Sequence, residues 1–169
     1  MKIGIDTTFL VQVEILEHPG NARAIEYKRQ VLSSSDSFAL TPQVLNEFIH
    51  IVTDPRRSER PLSMELALHR VHAWWNGLEI EQVFQSDHAV SWFLAWMGRY
   101  GLGRKRILDT MLAATYFAGG AEAIVTSNPG DFDVFEEIKI IAPKKSLKEF
   151  LLSAPRTELS IHRSKDTGR

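Results

Sequence analysis

The sequence predicts an α/β domain: a three-layer α/β/α sandwich around a central, mainly parallel sheet of five strands. Three observations predict it. Short apolar runs suited to buried strands alternate with longer segments of helical period, the order expected of parallel strands joined by helical crossovers. The chain has 169 residues, 44% hydrophobic and 24% charged, which suffices for one core and is ordinary globular composition. Helix caps and stops, such as Thr41 before Pro42 and the pair Gly119 and Gly120, fall between the periodic segments.

The first strand is expected over residues 2–6, within KIGIDTTFL. A helix follows within 21–32, where Ala24, Ile25, Lys28, Val31 and Leu32 keep a helical period. Residues 33–37 are a serine-rich turn, and 38–40 a short strand. Thr41 is an N-cap with Pro42 at the first helical position, so the next helix runs to about residue 52. TDPRRSERP, residues 53–61, is a loop. Ser63 caps a helix to about residue 76, and Gly77 suits its end. Residues 79–84 form a strand, and Ser86 caps a helix carrying Val90, Phe93, Leu94 and Met97. GLGRKR, residues 101–106, is a loop before a helix over 107–117. Residues 123–125 and 138–141 are the last strands, 146–152 a last short helix, and 153–169 a polar tail. The domain is therefore placed at 1–152, with no internal repeat.

Composition excludes several classes. With no cysteine there is neither a disulfide framework nor a thiolate zinc site. The 20 Lys and Arg against 21 Asp and Glu give no global attraction to nucleic acid, so any such binding needs a local patch. No apolar run approaches the ~20 residues of a membrane span. MKIGID lacks the apolar stretch of a secretory signal, and the expected location is the cytoplasm.

Four acids stand in apolar company. Asp6 ends a core strand, where an unpaired charge is expensive. Glu47 lies in VLNEFIHIV, with Val44 and Ile51 as helical neighbours. Asp109 sits between Ile107–Leu108 and Met111–Leu112, and Asp131 in the turn SNPGDF after an apolar strand. Each has an ordinary reading: a local cap at Asp6, an exposed helical glutamate at Glu47, a helix-start charge at Asp109, a turn residue at Asp131. Together they are four acids near strand ends or helix starts, and parallel sheets gather their sites at the carboxyl ends of strands. Clustered carboxylates repel and raise one another's pKa. A divalent ion with oxygen ligands, Mg²⁺ or Mn²⁺, removes that penalty and supports phosphoryl chemistry. The acids lie tens of residues apart, so only a folded sheet can bring them together. The hydroxyls of Thr7 and Thr8 can bond a carboxylate, a water or a phosphate, and Thr7 equally suits an ordinary turn.

On IDTTFL, PQVLNEF, ILDTMLAATYF and VTSNPGDFDVF, in that order over residues 1 to about 150, the chain resembles PIN-domain proteins, specifically the VapC-type ribonuclease toxins of toxin–antitoxin systems. The resemblance implies a parallel sheet flanked by helices and an endoribonuclease dependent on Mg²⁺ or Mn²⁺. It implies Asp6, Glu47 and Asp109 as the catalytic, metal-binding triad. At the fourth position the family pattern is Thr-x-Asp, whereas this chain has Thr126-Ser127-Asn128. With Thr126 in support, the fourth position then falls either to Asn128, as a neutral ligand or by orienting water, or to Asp131, which supplies the missing charge. A small inhibitory antitoxin and a homodimer are also implied.

Two basic runs can grip RNA phosphates. Arg104, Lys105 and Arg106 precede Asp109 and are the favoured RNA-binding set; Arg56, Arg57 and Arg60 read equally as a solvated loop. Trp74, Trp75, Trp92, Phe93 and Trp96 suit core or interface better than base stacking, and His69 with His72 has no acid partner at matching spacing. Two alternatives stay open: another metal-dependent nuclease on this scaffold, acting on DNA or structured substrates, and a catalytically weak RNA-binding module.

Overall fold

The computed structural model describes residues 1–58 and 60–143, so the helix expected at 146–152 and the tail at 153–169 lie outside the described residues. The described chain runs β1 (Lys2–Ile5), α1 (Thr7–Glu14), α2 (Asn21–Leu32), β2 (Ser37–Leu40), α3 (Pro42–Thr53), α4 (Met64–Trp75), β3 (Ile80–Gln82), α5 (Asp87–Arg99), α6 (Ile107–Ala118), β4 (Ala123–Val125) and β5 (Lys139–Ile141). The five strands form one sheet in the order β3-β2-β1-β4-β5, and every pairing is parallel. The expectation of a mainly parallel sheet is met in full.

This order creates the feature that matters for function. From β1 the chain builds outward through β2 and β3 on one side, then returns to lay β4 and β5 on the other. The direction reverses between β1 and β4, and a crevice opens there beyond the carboxyl ends of the two strands. Asp6 and Thr126 are the residues that follow these strands, and the Asp6 N–H donates to the Val125 carbonyl at 3.0 Å.

The inner strands are apolar almost throughout because both faces are covered. Ile3, Ile5, Phe38, Ala39, Leu40, Ala123, Ile124 and Val125 are all fully buried. The α1 helix packs against α2 and α3, and α3 against α4; α5 packs against α6. Phe9 of α1 meets Phe38 of β2 at 6.1 Å. Trp96 of α5 stacks on Phe135 at 4.9 Å. Trp92 sits edge-on to Phe117, so these tryptophans pack rather than stack bases. Gly4 lets α6 lie close on β1, because a Cβ there would stand 2.5 Å from the Tyr116 ring. The Tyr116 hydroxyl then donates to the Ile5 carbonyl at 2.6 Å, one residue before Asp6.

Two elements differ from expectation. Residues 7–14 are helical, a helix the sequence reading did not assign; Asp6 is its N-cap, accepting from the Thr8 N–H at 3.4 Å. The strand expected over 79–84 is only Ile80–Gln82, at the edge of the sheet, where Glu81 and Gln82 face solvent.

Candidate active site

Asp6 is buried to 6% exposure where β1 ends and α1 begins. Its Oδ2 accepts from Thr8 Oγ1 at 2.5 Å and from Thr126 Oγ1 at 2.7 Å, in addition to the Thr8 N–H. Oδ1 takes part in none of these three bonds. Thr126 is fully buried at the end of β4. Its hydroxyl accepts from the Asn128 N–H at 2.9 Å, while Thr8 Oγ1 accepts from the Ser127 N–H at 3.0 Å. One carboxylate thus ties the two central strands together through two hydroxyls. Burial, with Glu47 adding, raises the Asp6 pKa despite the bonds from Thr8 and Thr126.

Thr7 and Thr8 divide the work that the sequence suggested for both. Thr8 holds Asp6, whereas Thr7 Oγ1 donates to Glu47 Oε2 at 2.7 Å and links α1 to α3. Glu47 is exposed at the rim of the crevice. Pro42, Val44, Leu45 and Phe48 explain why it faces outward: the helix begins at Pro42 and turns Val44, Leu45 and Phe48 to the core.

Asp109 stands in the first turn of α6, half-buried. Its pKa is pushed up to about 6, first by burial, then by the charge of Asp131, with Asp6 and Glu47 adding and Arg106 opposing. Asp131, Asp6 and Glu47 thus each raise the pKa of Asp109, and Glu47 also raises that of Asp6.

Asp131 is differently placed. Its Oδ1 accepts from Arg106 Nη1 at 2.6 Å, and its Oδ2 accepts from the Asn128 side-chain amide. Arg106 also donates to the Gly130 carbonyl at 2.7 Å. Arg106, expected among the RNA-gripping residues, clamps the 128–131 turn onto the start of α6. Arg104 and Lys105 remain exposed in the single 3₁₀ turn Arg104–Arg106. Neither the clamp nor the Tyr116 anchor was read from the sequence. An arginine 25 residues from an acid carries no pairing signal of its own.

Among the described residues, no three His, Cys, Asp or Glu side chains stand close enough together to hold an ion directly. The donor set nonetheless fits Mg²⁺ or Mn²⁺. It is all oxygen, it holds uncompensated negative charge, and these ions keep several waters and take only one or two protein carboxylates directly. Asp6, Glu47 and Asp109 would hold the ion, partly through water.

No family model matches the chain, and no curated protein does. Solved structures share its fold. A chain of the VapBC2 complex of Rickettsia felis, bound to promoter DNA, superposes with a TM-score of 0.63 at 17% identity, covering 85% of this chain and 100% of that one. A chain of the DNA-bound VapBC complex of Salmonella typhimurium gives a TM-score of 0.57 at 21% identity, with 85% and 99% covered. VapC20 of Mycobacterium tuberculosis, a toxin that cleaves the sarcin–ricin loop, gives 0.54 at 16% identity, with 72% and 86% covered. At these identities the likeness establishes the fold, which is that of VapC-type PIN-domain toxins.

Proposed function

We propose that this chain, which has the VapC-type PIN fold, is an endoribonuclease dependent on Mg²⁺ or Mn²⁺ and the toxin of a VapBC-type pair. The observation that carries the reading is that Asp109, near the reversal of strand order, is raised to about 6 by burial and by the charges of Asp131, Asp6 and Glu47. Four mutually repelling carboxylates in a crevice cost stability, and an ion-dependent site is a reason to keep them.

When bound, the ion supplies the positive charge that lowers the pKa of water and offsets charge gathering on a phosphate. The protein's own residues do the positioning. Thr8 and Thr126 fix the rotamer of Asp6, leaving Oδ1 outside their bonds. Thr7 orients Glu47, and the backbone beneath Asp6 is braced by Tyr116. Asp131 adds negative potential at Asp109 while holding Arg106 and Asn128 in place. Arg104 and Lys105 stand exposed ahead of Asp109, where they can take up RNA phosphates.

Partner binding follows from the same reading. The similar structures include toxin–antitoxin complexes. On this chain an apolar hollow lined by Leu45, Leu68, Val71 and Trp75 lies open on α3 and α4, and Leu68 is 51% exposed. A small antitoxin or a second copy of the chain would cover such surface.

Cleavage by purified, folded variants tests the proposal. Asp6→Asn, Glu47→Gln and Asp109→Asn are each expected to lower Mn²⁺-dependent RNA cleavage by about 100-fold or more, the scale on which one electrostatic partner of a developing charge matters. Asp131→Asn is expected to be milder, because its oxygens are engaged by Arg106 and Asn128. Wild-type cleavage in any two of the first three variants would sink the assignment and leave an RNA-binding module as the better reading.

A further inference from the structure

Beside the acids lies a hollow of about 330 Å³, between α1, α3 and the loop after β4. Thr8, Ser127 and Asn128 form its edge toward the acids; Val11 and Ile51 are its apolar walls. Gln12 and His18 complete the lining. Ser127 Oγ is buried and, among the described residues, has no hydrogen-bond partner, an arrangement that costs stability unless something else supplies the partner. His18 Nδ1 accepts from the Gly20 N–H at 2.9 Å, which leaves the ring proton of a neutral imidazole on Nε2 as a donor. Burial, with Arg23 adding, holds the His18 pKa below its ordinary value.

The character of this hollow is specific. Among the described residues its lining carries no carboxylate, lysine or arginine, so it does not suit a phosphate. Two aliphatic walls with hydroxyl, amide and imidazole groups suit a flat neutral ring whose faces are apolar and whose edge is polar. The volume admits a base with its ribose. Past His18 the surface continues into a second hollow lined by Glu17, Arg57, Ser58 and Arg60, with Arg60 paired to Glu17 at 3.8 Å.

Resting on the nuclease reading, we propose that this hollow is a nucleotide subsite: it seats one unstacked base of single-stranded RNA beside the scissile phosphate, with Ser127 and His18 reading the base edge. Single-stranded RNA is the form whose bases are free to enter such a pocket. Ser127 and His18 are specificity-determining residues on this view, and the sequence preference of the protein originates there.

Equilibrium binding tests this without cleavage. Fluorescein-labelled pentanucleotides of A, C, G and U are titrated in EDTA against wild type, Ser127→Ala and Ile51→Trp, with folding checked by circular dichroism. Wild type is expected to hold one of the four about tenfold more tightly than the weakest, the worth of about one well-made hydrogen bond. Ser127→Ala is expected to shrink that ratio to about threefold or less, and Ile51→Trp, which fills the hollow, to erase it. Equal binding of the four by wild type overturns the subsite, as does a preference that survives Ser127→Ala. Because ions are chelated, this result stands apart from the cleavage assay: a protein that prefers one base but never cuts keeps the subsite and loses the nuclease reading. A protein that cuts without base preference does the reverse.

Discussion

At the scale of single residues, Asp6 has two duties that sequence reasoning set up as rivals. It caps α1 through the Thr8 N–H, and it is also the buried carboxylate of the crevice. Asparagine caps a helix about as well as aspartate, so Asp6→Asn removes charge while keeping the cap. Asp109 offers a cleaner reading of repulsion. In the folded chain its pKa is about 6 against an ordinary 3.8, so the folded state holds the proton more tightly than the unfolded state does. The stability contributed by the neutral carboxyl is therefore full below about pH 4 and is lost as pH rises through about 6. In EDTA, Asp109→Asn is expected to melt higher than wild type at pH 7.5, with the difference fading at pH 4. Thermal melts at the two pH values check this, and an equal offset at both would contradict it. The acids stand out in the sequence because each is chemically out of place among apolar neighbours. The roles of Arg106 and Tyr116 were not, since pairing across the fold leaves no local pattern: Arg106 clamps Asp131, and Tyr116 needs Gly4 to lie on β1.

At the scale of elements, alternation and capping chemistry carried most of the fold. Thr41, Ser63 and Ser86 cap α3, α4 and α5 as their sequence context suggests, each accepting a backbone N–H. The helix α1 escaped because it has no polar face to reveal a period. Its apolar residues Phe9, Leu10, Val11 and Val13 read as a continuation of the run begun in β1, and two of its polar residues, Thr7 and Gln12, are buried with the core. Its one signal was the cap, Asp6. The strand β3 was read too long because an apolar Phe84 extends the run, whereas in the structure Phe84 is 59% exposed and packs edge-on to Trp75. The Arg104–Arg106 turn was read as one basic group and is functionally split, with Arg106 turned inward to Asp131. Replacing Arg104 and Lys105 together by Ala is expected to weaken RNA binding and to flatten the slope of log affinity against log salt by about 1.4, two lost phosphate contacts on a single strand. An unchanged slope would mark these two side chains as solvent-facing only.

At the scale of the whole molecule, strand order decides where chemistry can occur. The strand order reverses between β1 and β4, and the groups proposed for the site stand at the β1–α1 junction, on α3 and α6, and in the 126–131 segment. No helix among the described residues is long and apolar enough to cross a membrane. The central claim is that the acids on these separate elements converge on one ion, and thermal melting with and without that ion tests it most directly. Wild type, Asp6→Asn and Asp109→Asn are melted at neutral pH in EDTA and in Mn²⁺. Both variants are expected to melt higher than wild type in EDTA, because a repelling charge is gone. Mn²⁺ at a hundredfold above its dissociation constant is expected to stabilise wild type by about 2.7 kcal/mol, and either variant far less. If all three proteins respond to Mn²⁺ alike, the acids do not form one site and the account is contradicted.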